Sequence, residues 1–306
     1  MTETAFESIT ILVMCMAAGF IARKGKVLKA QDMPGLTSLT LNITLPALLI
    51  MSMQREFEME AFRGSLLVMA LMVVIHIFVL AMGLGIVKLM KVEGAQKAVF
   101  LLALLFANTG FMGIPLTYAM YGQEAMLYTA VANSIMNTLV PTVGIAILLG
   151  AGGHSKINVK SILLNKIILS TLIGFMLFVF SIQIPELLGN GLRMIGGATT
   201  PLSMIIIGSM LAENELKGMF SGWRIYVVAT FRLLVFPLIA FFVLSRIIKD
   251  QMAVTVLTTL TAMPVAAIIA ILAAEHNKEP QLASKIVFIT TILSIFTIPL
   301  LVTVVG

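Results

Sequence analysis

The sequence predicts an all-α polytopic membrane protein: ten transmembrane helices in two inverted five-helix repeats, with helices four and nine broken partway. Three observations predict it. Of 306 residues, 59% are hydrophobic and 11% charged, against about 45–50% and about 25% in soluble domains. Apolar runs long enough to cross a bilayer recur along the whole chain. The second half repeats the spacing of the first at an offset of 155 residues. Such a composition excludes a soluble enzyme or a nucleic-acid-binding protein, because a soluble fold could not keep so much apolar surface out of water. The net charge of +6 lies in short links between apolar runs, where basic residues act as topology signals.

A membrane helix needs about 20 mostly apolar residues. Segments that qualify lie at 5–22, 35–53, 64–88, 97–121, 125–150, 163–183, 190–212, 223–245, 252–275 and 282–305. The N-terminus MTETAFES carries Glu3 and Glu7 and no basic residue, so span one is not a secretory signal. It ends on Arg23, Lys24 and Lys26, an anchor at the cytoplasm. Thr37, Ser38, Thr40, Asn42 and Thr44 make span two unusually polar. The links are too short for a separate soluble domain.

One side of the membrane collects Arg23, Lys24, Lys26, Lys29, Lys88, Lys91, Lys97, Lys156, Lys160, Lys166, Lys217, Arg224, Lys278 and Lys285. The other collects only Arg55, Arg63, Arg193, Arg246 and Lys249. This bias places both termini outside and the link at 151–162 inside. Under the 155-residue shift Gly19-Phe20 falls on Gly174-Phe175 and Pro46 on Pro201. The chain therefore divides into a first repeat, 1–150, and a second, 151–306, each with five helices. An odd number forces the second copy into the membrane the other way up, a design that recurs among secondary transporters.

The densest motif is Ala107-Asn108-Thr109-Gly110-Phe111-Met112-Gly113-Ile114-Pro115-Leu116 in span four. Pro115 lacks an N–H, and Gly110 and Gly113 lower helix propensity, which predicts an unwound segment at mid-membrane. Backbone freed at that depth must line a cavity or find partners in neighbouring helices. Asn108 and Thr109 supply polar atoms for a cavity; a glycine-packed proline kink is the plainer alternative. Span nine repeats the device with Thr261-Ala262-Met263-Pro264-Val265. Broken helices at matching places of two inverted halves point to a midplane binding site. The N-termini of their second halves favour an anion.

Arg232 lies inside span eight and should face a cavity or a partner, either backbone carbonyls or an anionic substrate. Its repeat mate is His76, read as a packed histidine or a proton relay. All 14 acidic residues fall in links or at helix ends, which argues against a transported cation. Asn133, Ser134, Asn137 and Thr138 share a face of span five, either toward the Asn108 site or toward a neighbouring helix. Asn42 with Pro46, and Thr199, Thr200, Pro201 and Ser203, read as bends in spans two and seven. Cys15 stands alone, and His76, His154 and His276 are scattered. No metal site, cofactor or nucleophile–base constellation is expected, and no enzyme activity.

The string Asn108-Thr109-Gly110-Phe111-Met112-Gly113-Ile114-Pro115-Leu116 resembles the auxin efflux carrier family, which includes plant PIN-type carriers and bacterial permeases for malate or malonate. Ala262-Met263-Pro264, Ala274-Glu275-His276-Asn277, Ser284, Thr297-Ile298-Pro299-Leu300 and Phe231-Arg232-Leu233 with Pro237 resemble it too. The resemblance implies that helices four and nine cross at their breaks. It also implies a scaffold of helices 1, 2, 6 and 7, a transport domain of helices 3–5 and 8–10, and a homodimer through the scaffold. The function implied is elevator-like transport of a small organic anion, a mono- or dicarboxylate such as malate or malonate, across a bacterial inner membrane. Asn108 takes the position that meets the substrate carboxylate. The substrate-binding set expected is Asn108, Thr109, Gly110, Gly113, Pro115, Asn133, Asn137, Arg232, Met263 and Pro264. The rivals are a sodium-coupled organic-anion symporter of the bile-acid-carrier type and a membrane sensor that does not transport. The short link at 151–162 departs from plant members, which carry a long hydrophilic loop there.

Overall fold

The computed structural model describes residues 2–150, 164–213 and 220–305. The link at 151–162 with His154, Lys156 and Lys160, the repeat boundary beside it, and Lys217 lie outside the described residues. The described residues are helical, and they form no β-strand beyond one isolated antiparallel bridge, Ala107 with Val265.

Helix α1 covers Thr2–Lys24. Helices α2 (Met33–Leu39) and α3 (Leu45–Ser52) are joined through a π-helical turn at Thr40–Thr44. Helix α4 is Met59–Leu89. Expected span four is two pieces, α5 (Gly94–Leu105) and α6 (Ile114–Tyr121). Helices α7 (Met126–Leu139) and α8 (Ile145–Leu149) are joined through a π turn at Val140–Gly144. Helices α9 (Lys166–Val179), α10 (Glu186–Gly197) and α11 (Thr199–Glu213) follow. A π turn at Phe231–Val235 links α12 (Trp223–Thr230) to α13 (Phe236–Ile247). Expected span nine is also two pieces, α14 (Gln251–Thr261) and α15 (Ile268–Glu275). Helix α16 is Pro280–Val305.

Six stretches among the described residues are long and apolar enough to cross a membrane: Ala30–Ser52, Met59–Leu89, Gln123–Leu149, Glu186–Ala212, Trp223–Ile247 and Pro280–Thr303. Gly94–Leu105, Lys166–Val179 and Gln251–Thr261 are shorter apolar helices, and two of these are the first halves of the interrupted segments.

Three π turns end just before a proline: Thr40–Thr44 before Pro46, Thr109–Gly113 before Pro115, and Phe231–Val235 before Pro237. A proline lacks its own N–H and clashes with the carbonyl four residues back. A wider turn ahead of it absorbs both defects, so the helix continues instead of stopping. Each proline then occupies the first turn of the next helical segment, where a missing N–H costs nothing.

The chain forms two compact units. The first holds Met1–Met69, Gly110–Ser134 and Val159–Glu215. Here glycines bring helices into backbone contact: a Cβ on Gly19 would strike the Ile205 carbonyl, and one on Gly208 would strike that of Met16. A Cβ on Gly174 would lie 3.3 Å from the Ile50 Cα, and one on Gly196 would lie 2.8 Å from the Leu48 N. In lipid, where apolar contact alone gives no drive to associate, such small-residue seams let dispersion hold helices together. Gly19 against Ile205 and Gly174 against Ile50 stand at positions 155 residues apart.

The second unit holds Ala70–Thr109, Ile135–Asn158 and Leu216–Gly306. Its interior includes Leu104, Phe106, Leu257, Leu260, Met263 and Ile286, all fully buried. Hydroxyls inside it return to carbonyls one turn back, as Thr261 donates to Leu257 at 2.7 Å and Thr290 to Ile286 at 2.8 Å. That satisfies them without a partner helix.

Candidate functional site

The site is built where two helices stop. Helix α5 ends at Leu105, and Phe106 turns extended, with φ −107° and ψ 113°. Ala107 then pairs antiparallel with Val265. The Asn108 N–H donates to the Pro264 carbonyl at 2.7 Å, and the Ala266 N–H donates to the Phe106 carbonyl at 3.0 Å. The two broken segments thus meet directly, backbone to backbone, within the second unit.

In a continuous helix the Asn108 N–H would serve the Leu104 carbonyl, and the Val265 N–H would serve that of Thr261. Here the first goes to Pro264 and the second to the Thr290 hydroxyl at 3.2 Å. The two carbonyls left behind are taken by one side chain. Arg232 donates through Nη1 to Leu104 at 3.0 Å, through Nη2 to Thr261 at 3.0 Å and through Nε to Met263 at 3.1 Å. The guanidinium is buried, 3% exposed. It caps the C-terminal, electronegative ends of α5 and α14 together, where a cation is favoured. Of the two partners the sequence allowed for Arg232, the structure shows backbone carbonyls.

The second halves present the opposite polarity. With Pro264 engaged across the bridge, Ile268 makes no bond to that carbonyl, its usual helical acceptor. Its N–H belongs to the electropositive first turn of α15. Asn108 stands beside this break, 6% exposed, and among the described residues its carboxamide makes no hydrogen bond. Thr109 is buried and donates its N–H to Ala107 at 2.9 Å.

Of the expected substrate-binding residues, Asn108, Met263, Pro264 and Arg232 are joined by the hydrogen bonds above, with Thr109 adjoining. Gly110 lies in the first unit near Asn133, whose Oδ1 would be 4.0 Å from a Cβ on Gly110. Gly113 and Pro115 fall at the start of α6, and the Gly113 carbonyl accepts from Thr117 at 2.8 Å. The break therefore lies at Phe106–Asn108, ahead of the Gly110–Pro115 stretch expected to unwind, because the π turn accommodates the proline. Asn137 is half-buried on α7 in the second unit. Sequence reasoning missed Thr290, whose only signal is a hydroxyl in an apolar span. It missed Phe106 and Ala107 as well, which carry no helix-breaking signature.

A protein-family model described as membrane transport protein matches residues 4–302. The chain belongs to this family, that of the auxin efflux carriers. An uncharacterized transporter of Methanocaldococcus jannaschii is 23% identical over 306 residues, covering 96% of this chain and 96% of the relative. An uncharacterized transporter of Methanothermobacter thermautotrophicus is 23% identical over 98% of this chain and 96% of its own length. A Rhizobium meliloti protein named "Putative malonate transporter" is 23% identical over 88% of this chain and 85% of its own. The protein is a membrane transporter of this family.

Proposed function

We propose that the protein is a secondary transporter of small organic anions, mono- or dicarboxylates such as malonate or malate. The observation that carries this reading is the meeting of two broken helices through Asn108 with Pro264 and Phe106 with Ala266. The meeting sorts helix ends by polarity. The C-terminal ends are neutralised by Arg232, and the N-terminal ends stay available for negative charge. The carboxylate is held by the Asn108 carboxamide and the N–H groups at the helix starts near Thr109 and Ile268. Arg232 acts through the helix ends it caps. The likeness to a protein named for malonate supports this substrate class.

The same reading takes the chain as ten spans in two inverted repeats, with both termini outside an inner membrane. The matched Gly19 and Gly174 contacts and the two matched breaks support the repeat. Elevator-like movement of helices 3–5 and 8–10 against a dimeric scaffold of helices 1, 2, 6 and 7 completes the proposed mechanism. Counterflow in proteoliposomes tests the site: Asn108→Ala abolishes exchange of labelled malonate or malate while expression and folding persist. Unchanged exchange overturns the reading.

A further inference from the structure

His76 sits in α4, buried at 7% exposure inside the second unit. Its Nδ1 lies 2.8 Å from the Met72 carbonyl. A carbonyl only accepts, so Nδ1 carries the ring proton, and Nε2 of the neutral ring keeps a lone pair. Among the described residues Nε2 has no hydrogen-bond partner. The ring packs at 6.3 Å from that of Phe106, the first residue of the span-four break.

A cavity of about 10 Å³, room for about one water molecule, adjoins this ring. His76, Arg232, Thr261 and Ala107 line it, with apolar walls from α4 and Leu105. Its polar groups are complementary. Arg232 spends three of its five N–H donors on carbonyls and retains two. The Thr261 hydroxyl gives its proton to Leu257 and retains acceptor capacity. His76 Nε2 accepts. A water there has one donor and two acceptors around it, enough to be held.

We propose that this cavity is a proton-uptake site, in which an ordered water relays a proton to His76 Nε2 and His76 carries it together with the transported anion. The proposal rests on the carboxylate reading above. The groups that face His76 from the elements packed on it are few. Arg232 comes from the turn between α12 and α13, Thr261 from α14, and Phe106 and Ala107 from the break after α5. Only Arg232 among them is charged, and among the described residues no acid lines the cavity. Protonating His76 therefore sets a second positive charge beside Arg232 in a medium that screens poorly. A carboxylate bound near Asn108 supplies the missing negative charge. Proton and anion are then taken up together, because each favours the binding of the other. The proton bonds to Nε2 on uptake and leaves it with the anion on release, so the proton is accounted for at each step.

The test uses purified protein in proteoliposomes with labelled malonate and an internal pH dye. Wild type is expected to exchange malonate without any gradient and without net proton movement, to take up protons during net malonate uptake, and, with the membrane potential held at zero, to accumulate it about tenfold per unit of inward acid gradient, the ratio a factor of ten in proton concentration supports. His76→Gln, which keeps a polar side chain but takes no proton, is expected to retain measurable exchange and to lose acid-driven accumulation. Net malonate uptake by wild type with no proton uptake overturns the proposal and leaves the carboxylate reading intact. Accumulation by His76→Gln at the wild-type level also overturns it. If His76→Gln does not exchange, His76→Asn is read in the same way; loss of exchange in both assigns the residue to holding the break together and overturns the proposal. Absence of malonate and malate exchange in wild type overturns both readings.

Discussion

Arg232 shows what a buried cation does when, among the described residues, its partners are carbonyls and not an acid. An unpaired charge at mid-bilayer costs at least about 2.5–3.5 kcal/mol on insertion scales, and here the compensation is three backbone carbonyls. The broken helices in turn depend on it, since a buried polar group left without a partner costs about 1–3 kcal/mol. Arg232→Met is expected to lower the melting temperature of the purified protein sharply. Arg232→Lys recovers part of the loss, because an ammonium keeps the charge but cannot reproduce the flat fork that spans three acceptors. Equal stability of wild type and Arg232→Met, measured by thermal unfolding, would remove Arg232 from this role. The charge was legible in the sequence and its partners were not: any residue supplies a carbonyl, so nothing in the letters marks Leu104, Thr261 or Met263 as acceptors. Thr290 was hidden for a related reason, since most buried threonines in these helices simply bond back to their own turn.

Among elements, the seams of the first unit depend on the absence of side chains. Gly19 and Gly208 bring α1 onto α11 with no room for a Cβ, whereas at Gly174, where α9 meets α3, a Cβ would lie 3.3 Å from the Ile50 Cα and 2.9 Å from the flexible Met53 sulfur. Gly19→Leu and Gly174→Leu are both expected to destabilise the protein, Gly19→Leu more, because its Cβ would strike a backbone carbonyl. Gly85→Ala and Gly191→Ala, whose new Cβ would meet nothing within 4 Å, are expected to be neutral or slightly stabilising. Thermal unfolding of the four variants checks the contrast; similar losses at all four positions would contradict it. The interruption of the segments expected as spans four and nine was readable from glycine and proline, and its position only approximately. Pro264 falls inside its break, whereas Pro115 starts a helix after a widened turn. Proline marks a place where a helix needs help, and the surrounding turn decides whether that help is a break or a bulge. Phe106 and Ala107 unwind because their backbone pairs with a distant segment, a tertiary cause with no local signal.

At the scale of the whole molecule, composition alone identified a membrane protein, and the glycine and proline motifs anticipated both interrupted segments. The charge bias of the links predicts a topology with both termini outside. A reporter fused after Gly306 that is active only outside the cytoplasm is expected to report, and one inserted in the 151–162 link is expected to stay silent; the reverse pattern would contradict the topology. The central claim is that crossed helix ends bind a carboxylate at Asn108. Thermal stabilisation of the purified protein by a panel of mono- and dicarboxylates, with and without sodium, tests it most directly. The account predicts that malonate or malate raises the melting temperature of wild type without sodium and fails to raise that of Asn108→Ala. Stabilisation that requires sodium, or that is equal in wild type and Asn108→Ala, would contradict it.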